Sequence, residues 1–210
     1  MNKKNSDNTS EQTLLAQKHK DKMARKKKVV DERIANATQE RGIVILLKGN
    51  GKGKSSSAFG TMARALGHGQ KAGVIQFIKG RKATGEFLFF KDHPQVDFHV
   101  MGHGFTWETQ DRGQDIAAAK EAWLLAQKML QDVRYQILVF DELAYMFKYE
   151  YLNVSECIKD IVARPKMQSV IITGRTMHTE LQTIADTISD VQDIEHAFRK
   201  GVKAQAGIEW

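Results

Sequence analysis

The feature that most constrains the fold is a glycine-rich stretch between an apolar run and a segment rich in helix-forming residues. The stretch reads GNGKGKSS at residues 49–56, after the apolar run at 43–47 and before the helix-like residues 57–66. A buried strand that turns through glycines into a helix directs backbone N–H groups and the positive end of the helix dipole at one point, which favours a phosphate group. The sequence therefore predicts a phosphate-binding loop made of Gly49, Asn50, Gly51, Lys52, Gly53, Lys54, Ser55 and Ser56.

Two side chains of this loop suit a nucleotide. Lys54 carries a charge that can reach the phosphates, and Ser55, first on the helix, offers a hydroxyl to Mg²⁺. The loop is one residue shorter than the pattern G-x-x-x-x-G-K-[ST], because Lys48 stands where that pattern has its first glycine. A glycine-rich turn with accidental lysines is the alternative. The coincidence of strand, glycines, Gly-Lys-Ser and helix argues against it.

The rest of the pattern predicts an α/β fold. Apolar strand-like runs alternate with helix-like segments, and the runs lie at residues 43–47, 72–78, 95–100, 135–140, 169–173 and 188–197. Because crossovers between strands of one sheet are right-handed, this alternation predicts a mostly parallel sheet sandwiched by helices. The pattern leaves open whether the strand before the phosphate loop is next to the strand at 135–140 or is separated from it by a third.

Charged residues follow two of the predicted strands. Asp141 and Glu142 end the strand at 135–140, and the carboxyl ends of parallel strands are where ligands collect. One of the two acids, Asp141, could instead cap the next helix, which leaves the other without that explanation. Arg175 follows the strand at 169–173, so we expect it beside the phosphates.

A glycine-flanked segment at residues 101–110 carries two aromatic residues, Phe105 and Trp107. It follows the predicted strand at 95–100 and does not resemble an ordinary connection. From the residues alone, these two rings are either plugs of the hydrophobic core or contacts to a ligand.

The first 41 residues differ in charge from the remainder. Residues 1–41 hold 11 Lys+Arg against 6 Asp+Glu, whereas residues 42–210 hold 21 against 19. We expect disorder up to about residue 12, then a weak or conditional helix to residue 40 that is either a plain leader or a lid over the site. The nearly neutral body argues against a nucleic-acid-binding core.

Composition limits the compartment and the number of domains. A chain of 210 residues suits one α/β domain, residues 42–210, plus the basic arm. The single cysteine, Cys157, excludes an internal disulfide and fits a reducing cytoplasm as a buried structural thiol. No run approaches ~18 apolar residues, so we expect neither a membrane span nor a secretion signal.

Read together, these blocks make residues 41–210 resemble the ATP:corrinoid adenosyltransferases of the CobA/BtuR type. The resemblance implies a P-loop NTPase architecture similar to that of RecA, with a short phosphate loop. It is carried by GNGKGK at 49–54, GHG at 67–69, VIQFIKG at 74–80, GFTWETQ at 104–110, DEL at 141–143, IITGR at 171–175, HAF at 196–198 and GVKAQ at 201–205.

The resemblance implies transfer of the 5′-deoxyadenosyl group of ATP to Co(I) of a reduced corrinoid, with release of triphosphate. The corrinoid would be cobalamin, cobinamide or cobyrinic acid a,c-diamide. ATP is then the co-substrate, Mg²⁺ the cofactor, and an electron-donating flavoprotein reductase and a second copy of the chain are the partners.

Roles for individual residues come with the resemblance. Backbone N–H groups at 50–54 and the charge of Lys54 would hold phosphates, Ser55 and Glu142 would hold Mg²⁺, and Arg175 would contact the phosphate tail. Phe105 and Trp107 would face the corrinoid and displace its lower axial ligand, leaving four-coordinate Co(II) that is easier to reduce. The residues expected to act in catalysis are Lys54, Phe105, Trp107 and Arg175.

Two other classes of protein could use the same loop. A small-molecule kinase or ATPase would transfer the γ-phosphoryl group and release ADP rather than triphosphate. A RecA-like motor would bind polynucleotide through the basic arm, with strong salt dependence. The kinase would also need a base or acceptor site and usually mobile basic lid residues, and the nearly neutral body argues against the motor.

Overall fold

The computed structural model describes residues 4–78, 83–102 and 111–210, apart from the side chains of residues 4–11 and 13. The chain divides into two units, Met1–Glu40 and Arg41–Trp210. The predicted boundary after residue 41 is one residue from this division. Among the described residues, no helix combines the length and apolar character needed to cross a membrane.

The first unit contains a single long helix, α1, Lys4–Asn36. It begins about eight residues before the predicted helix, so the expected disorder up to residue 12 is corrected. No glycine or proline interrupts residues 4–41, and backbone hydrogen bonding can therefore continue through the polar start of the segment. Its described side chains are exposed, and pairs such as Lys27 with Asp31, 2.6 Å apart, lie one turn apart on its surface.

The second unit is built on a six-stranded sheet in which every pair of neighbouring strands is parallel. The strands are β1 Val44–Lys48, β2 Ala72–Gln76, β3 Val96–Val100, β4 Ile137–Asp141, β5 Ser169–Gly174 and β6 Thr187–Asp190. Their spatial order is β3-β2-β4-β5-β1-β6. The predicted parallel α/β fold is confirmed, and β5 separates the phosphate-loop strand from the strand that ends in Asp141.

Helices cover both faces of the sheet. They are α2 Lys54–Gly67, α3 Gly85–Phe90, α4 Arg112–Gln131, α5 Ala144–Lys148, α6 Val154–Val162, α7 Thr179–Thr183 and a 3₁₀ turn at Ala197–Lys200. Alternate residues of each strand point to opposite faces. Leu138 therefore packs in the cluster with Trp123 and Cys157, whereas Val139 packs in the cluster with Phe59. Burial raises the pKa of the Cys157 thiol, as expected of a structural cysteine.

Three short elements differ from the prediction. The last strand was expected at 188–197, but β6 ends at Asp190 and the chain turns into the 3₁₀ segment, whose cap is His196. The helices α3 and α5 were not predicted, because each spans only five or six residues and shows too few turns for a 3.6-residue period. The α3 helix begins where the Thr84 side chain accepts a hydrogen bond from the Phe87 N–H at 3.2 Å.

Candidate active site

The phosphate loop connects β1 to α2 and lies against the chain that follows β6. A Cβ at Gly49 would sit 2.4 Å from the Val191 carbonyl oxygen, and one at Gly51 would sit 2.4 Å from that of Gln192. Gly49 also has a φ of 111°. Only glycine fits such close backbone contact, so both glycines are required for the loop to keep this path.

The start of α2 is arranged to receive an anion. Its N-cap residue, Gly53, provides no side-chain hydrogen bond, and its first turn holds no acidic residue. Among the described residues, the N–H groups of Lys52, Gly53 and Lys54 have no hydrogen-bond acceptor. Backbone donors and a helix dipole therefore converge here, with no acidic side chain in the first turn of the helix itself.

One of the backbone N–H groups predicted to bind phosphate, that of Gly51, already donates a hydrogen bond within the protein. The Gly51 N–H donates to the Val191 carbonyl at 2.7 Å, inside the contact between the loop and the chain after β6. Phosphate binding by the other N–H groups of residues 50–54 stays a prediction.

Lys54 lies at the mouth of the loop and is 8% exposed. Its Nζ donates to the Gly51 carbonyl at 2.7 Å. Burial lowers the pKa of this lysine, while the charge of Glu142 acts in the opposite direction and Arg175 adds to the lowering. A buried cation whose described hydrogen bond goes only to a carbonyl gains from an anionic ligand, because a phosphate would supply the missing charge compensation.

Asp141, at the end of β4, is hydrogen-bonded to residues of the two neighbouring strands. It is 3% exposed, its Oδ1 accepts from the Thr173 hydroxyl at 2.7 Å, and its Oδ2 accepts from the Gln76 amide at 3.2 Å. The N-cap residue of α5 is Leu143, without a side-chain hydrogen bond. The possibility that Asp141 caps the next helix is therefore wrong, and its described bonds hold the ends of β2, β4 and β5 together.

Glu142 turns away from the sheet with a φ of 57°, a left-handed conformation that is rare outside glycine. Its N–H donates to the Thr173 hydroxyl at 2.8 Å, the hydroxyl that also donates to Asp141. This arrangement fixes the backbone from which the Glu142 carboxyl projects.

One oxygen of the Glu142 carboxyl is not hydrogen-bonded within the described structure. Its Oε2 is buried and has no hydrogen-bond partner among the described residues. Burial, and to a lesser extent the charge of Asp141, raise the pKa of Glu142 to about 7 against the opposing charges of Lys54 and Arg175. Buried oxygen atoms are nearly always satisfied, and a divalent cation would satisfy this one.

The folded chain gathers most of the predicted residues around one cavity. This nucleotide cavity has a volume of about 610 Å³ and is lined by Lys52, Gly53, Lys54, Ser55, Ser56, Glu142 and Arg175, among others. Gly49 and Asn50 line a neighbouring cavity of about 1000 Å³, and Arg175 borders both. Phe105 and Trp107 lie outside the described residues.

Some residues of the site escaped sequence reasoning. The Thr173 hydroxyl donates to the Asp141 carboxylate and accepts from the Glu142 N–H. Gln76 is a buried polar residue at the end of an otherwise apolar strand, a signal that could have been noticed. Glu209, which borders both cavities, had no such signal because neither a motif nor a hydrophobic period covers residues 206–210.

A parallel sheet, a glycine-rich loop leading into a helix and a buried lysine facing acids on a nearby strand together define a P-loop nucleotide-binding protein. The chain belongs to the family described as ATP:corrinoid adenosyltransferase BtuR/CobO/CobP, whose model matches residues 40–210. A second model, described as the N-terminal part of cob(I)alamin adenosyltransferase, matches residues 7–34.

Individual relatives agree with this assignment. A corrinoid adenosyltransferase of Pseudomonas aeruginosa is 52% identical over 195 residues, which is 92% of this chain and 96% of that protein. One from Escherichia coli is 47% identical over 194 residues, covering 92% and 98%. The corrinoid adenosyltransferase CobA of Salmonella typhimurium is 50% identical over 181 residues, covering 86% and 92%. The family inferred from the sequence motifs is therefore confirmed.

Proposed function

We propose that this chain transfers the 5′-deoxyadenosyl group of ATP to Co(I) of a reduced corrinoid at the nucleotide cavity. Co(I) attacks C5′, a cobalt–carbon bond forms, the C5′–oxygen bond breaks, and triphosphate leaves with the electron pair. One observation carries the assignment of the site. Lys54, which is buried and cationic, and Glu142, which has an oxygen without a partner in the described part of the chain, line one cavity at the start of α2. Nothing in the site favours the kinase or ATPase alternative.

The phosphate loop binds the triphosphate. Lys54 and the N–H groups at the start of α2 place positive charge beside the phosphates, and Arg175 contacts the phosphate tail. These charges assist the chemical step because the negative charge on the leaving group grows as the C5′–oxygen bond breaks. No general base is needed, since Co(I) has no proton to lose.

Ser55 and Glu142 suit Mg²⁺. A hydroxyl and a carboxylate are hard oxygen donors, and the buried Glu142 oxygen, to which none of the described residues is bonded, fits a bound cation. When bound, Mg²⁺ would neutralise charge on the leaving triphosphate. Proteins usually hold Mg²⁺ through one or two side-chain oxygens, and Ser55 and Glu142 would supply that number here.

The partners and the location follow from the family resemblance. We propose that the protein acts in the cytoplasm as a homodimer and receives electrons from a flavoprotein reductase. Phe105 and Trp107 then cover the lower face of the corrin, where they exclude water and the axial base from cobalt.

Incubation with ATP, Mg²⁺ and chemically reduced cobalamin tests the reaction. The expected result is a light-sensitive adenosylated product and one triphosphate released for each product formed. ADP as the phosphate-containing product would support the kinase reading instead and contradict this proposal.

Glu142→Gln and Ser55→Ala are expected to raise the Mg²⁺ concentration for half-maximal activity by about tenfold, because each removes an oxygen donor or its charge. A titration of activity against Mg²⁺ measures this. Two variants serve as matched controls. Ser57→Ala changes a serine in the same helix turn that does not line the cavity. Glu150→Gln changes a glutamate whose φ of 58° matches that of Glu142 but whose carboxylate is exposed. An unchanged Mg²⁺ requirement in both site variants would contradict the metal assignment.

Deletion of residues 1–38 is expected to weaken corrinoid binding by at least tenfold and ATP binding by less than twofold. The reason is that α1 exposes its apolar side chains, including Leu14, Leu15 and Ile34, and a helix of this kind can cover a ligand that it encounters. Separate KM values for the two substrates give the answer. Equal loss of both, or loss of neither, would rule out the lid.

A further inference from the structure

A turn at residues 205–210 lies beside the phosphate loop, although the two are far apart in sequence. The Glu209 N–H donates to the Gln205 carbonyl at 2.8 Å, and the Gly207 N–H donates to the Trp210 carbonyl at 2.8 Å. Because the turn closes on itself through these bonds, it holds the Glu209 side chain in a defined direction.

That side chain pairs with a lysine of the phosphate loop. Glu209 Oε2 is 2.8 Å from Lys52 Nζ, and the two side chains are 26% and 44% exposed. Both residues line the nucleotide cavity together with Lys54 and Glu142. A cation that belongs to the phosphate loop thus has a carboxylate of the same chain as its counter-ion.

A bound triphosphate would compete with this carboxylate. A partly exposed ion pair changes an equilibrium by about fivefold at most, whereas triphosphate brings several negative charges to the same lysine. Displaced Glu209 keeps its own charge in the cavity and repels the phosphates. Loss of the pair and repulsion act in the same direction, so each makes bound triphosphate less stable.

We propose that Glu209 is a displaceable counter-ion for Lys52 that limits how tightly triphosphate is held and so promotes its release after adenosyl transfer. This rests on the proposed function in one respect, that the loop binds triphosphate. Lys52 contacts Glu209 before the nucleotide arrives and the phosphates while the nucleotide or its product is bound. Its return to Glu209 accompanies product release.

Calorimetric titration of the full-length protein with inorganic tripolyphosphate and Mg²⁺ tests this role. Glu209→Gln is expected to lower the Kd for tripolyphosphate by about three- to tenfold. Glu195→Gln is the matched control, since Glu195 also pairs with a lysine, Lys200, but lines neither of the cavities beside the loop. Its Kd is expected to stay within twofold of that of the unchanged protein.

A double-mutant cycle tests whether Glu209 acts through Lys52. Lys52→Ala is expected to raise the Kd, and adding Glu209→Gln to it is expected to lower the Kd by no more than about twofold, because only the repulsion between Glu209 and the phosphates is then removed. An unchanged or higher Kd in the single Glu209→Gln variant, or an equal effect with and without Lys52, would overturn the proposal. Melting temperatures of all variants identify any that fail to fold.

The titration contains no corrinoid, so it separates this inference from the proposed function. If the unchanged protein forms no adenosylated product, the proposed function fails, and the Kd values still decide the role of Glu209. If the product forms but Glu209→Gln binds tripolyphosphate no more tightly, this inference alone fails.

Discussion

Lys54→Ala is expected to lower kcat/KM for ATP by about 10²- to 10³-fold, the loss typical of removing one preorganised charged or hydrogen-bonding group from a transition state. The lysine is buried at the mouth of the phosphate loop, where its charge is poorly screened by water. Because the negative charge on triphosphate grows during alkyl transfer, the loss should appear in kcat as well as in KM. Steady-state kinetics with chemically reduced cobalamin measure both.

Lys48→Ala is the matched control for this variant. Lys48 directly precedes the loop, but it lines the neighbouring cavity and its Nζ lies 3.8 Å from Asp190. Its removal is expected to change kcat/KM by less than threefold. Near-normal activity in Lys54→Ala, or equal losses in both variants, would show that the triphosphate does not lie against Lys54. A melting temperature for each variant separates loss of charge from loss of folding.

Phe105→Ala and Trp107→Ala are expected to lose most activity when a flavin reductant supplies electrons and to keep much more of it when a strong chemical reductant supplies Co(I). If these rings exclude the axial ligand, their removal returns that ligand to Co(II). An axial donor raises the energy of the acceptor orbital, so Co(II) becomes harder to reduce. Alkyl transfer from preformed Co(I) would be little changed.

The alternative reading of these two aromatics gives a different result. If the rings are plugs of the core, truncation costs about 3 to 5 kcal/mol of stability and impairs both assays alike, with a lower melting temperature. Both activities and the melting temperature are therefore measured on the same two variants. Parallel loss in the two assays would mean that packing, not reduction of cobalt, explains these residues.

The sequence predicted best those strands and helices whose position is set by the pattern of apolar residues within the element itself. Strands β1, β2, β4 and β5 are short apolar runs buried by helices, and α4 and α6 repeat apolar residues at helical spacing. The end of β6 was predicted less well, because its four residues are all exposed and no hydrophobic period marks where pairing stops. For α1, the absence of helix-breaking residues outweighed the polar composition of its first turns.

The sequence by itself determined the position of the glycine-rich loop between β1 and α2 and the parallel α/β class, because glycine spacing and the strand-to-helix turn restrict the backbone locally. Both adjacent acids line the cavity, and only the tertiary structure decided which of them is hydrogen-bonded to neighbouring strands and which keeps a buried oxygen without a partner among the described residues. Thr173, on a strand more than 30 residues away, binds Asp141 through its hydroxyl and turns Glu142 outward. The pairing of Lys52 with Glu209, 157 residues apart, was likewise decided by the fold. Contacts between distant segments depend on strand order and on the path of the chain across the sheet, and neither is encoded in the period or spacing of any one segment.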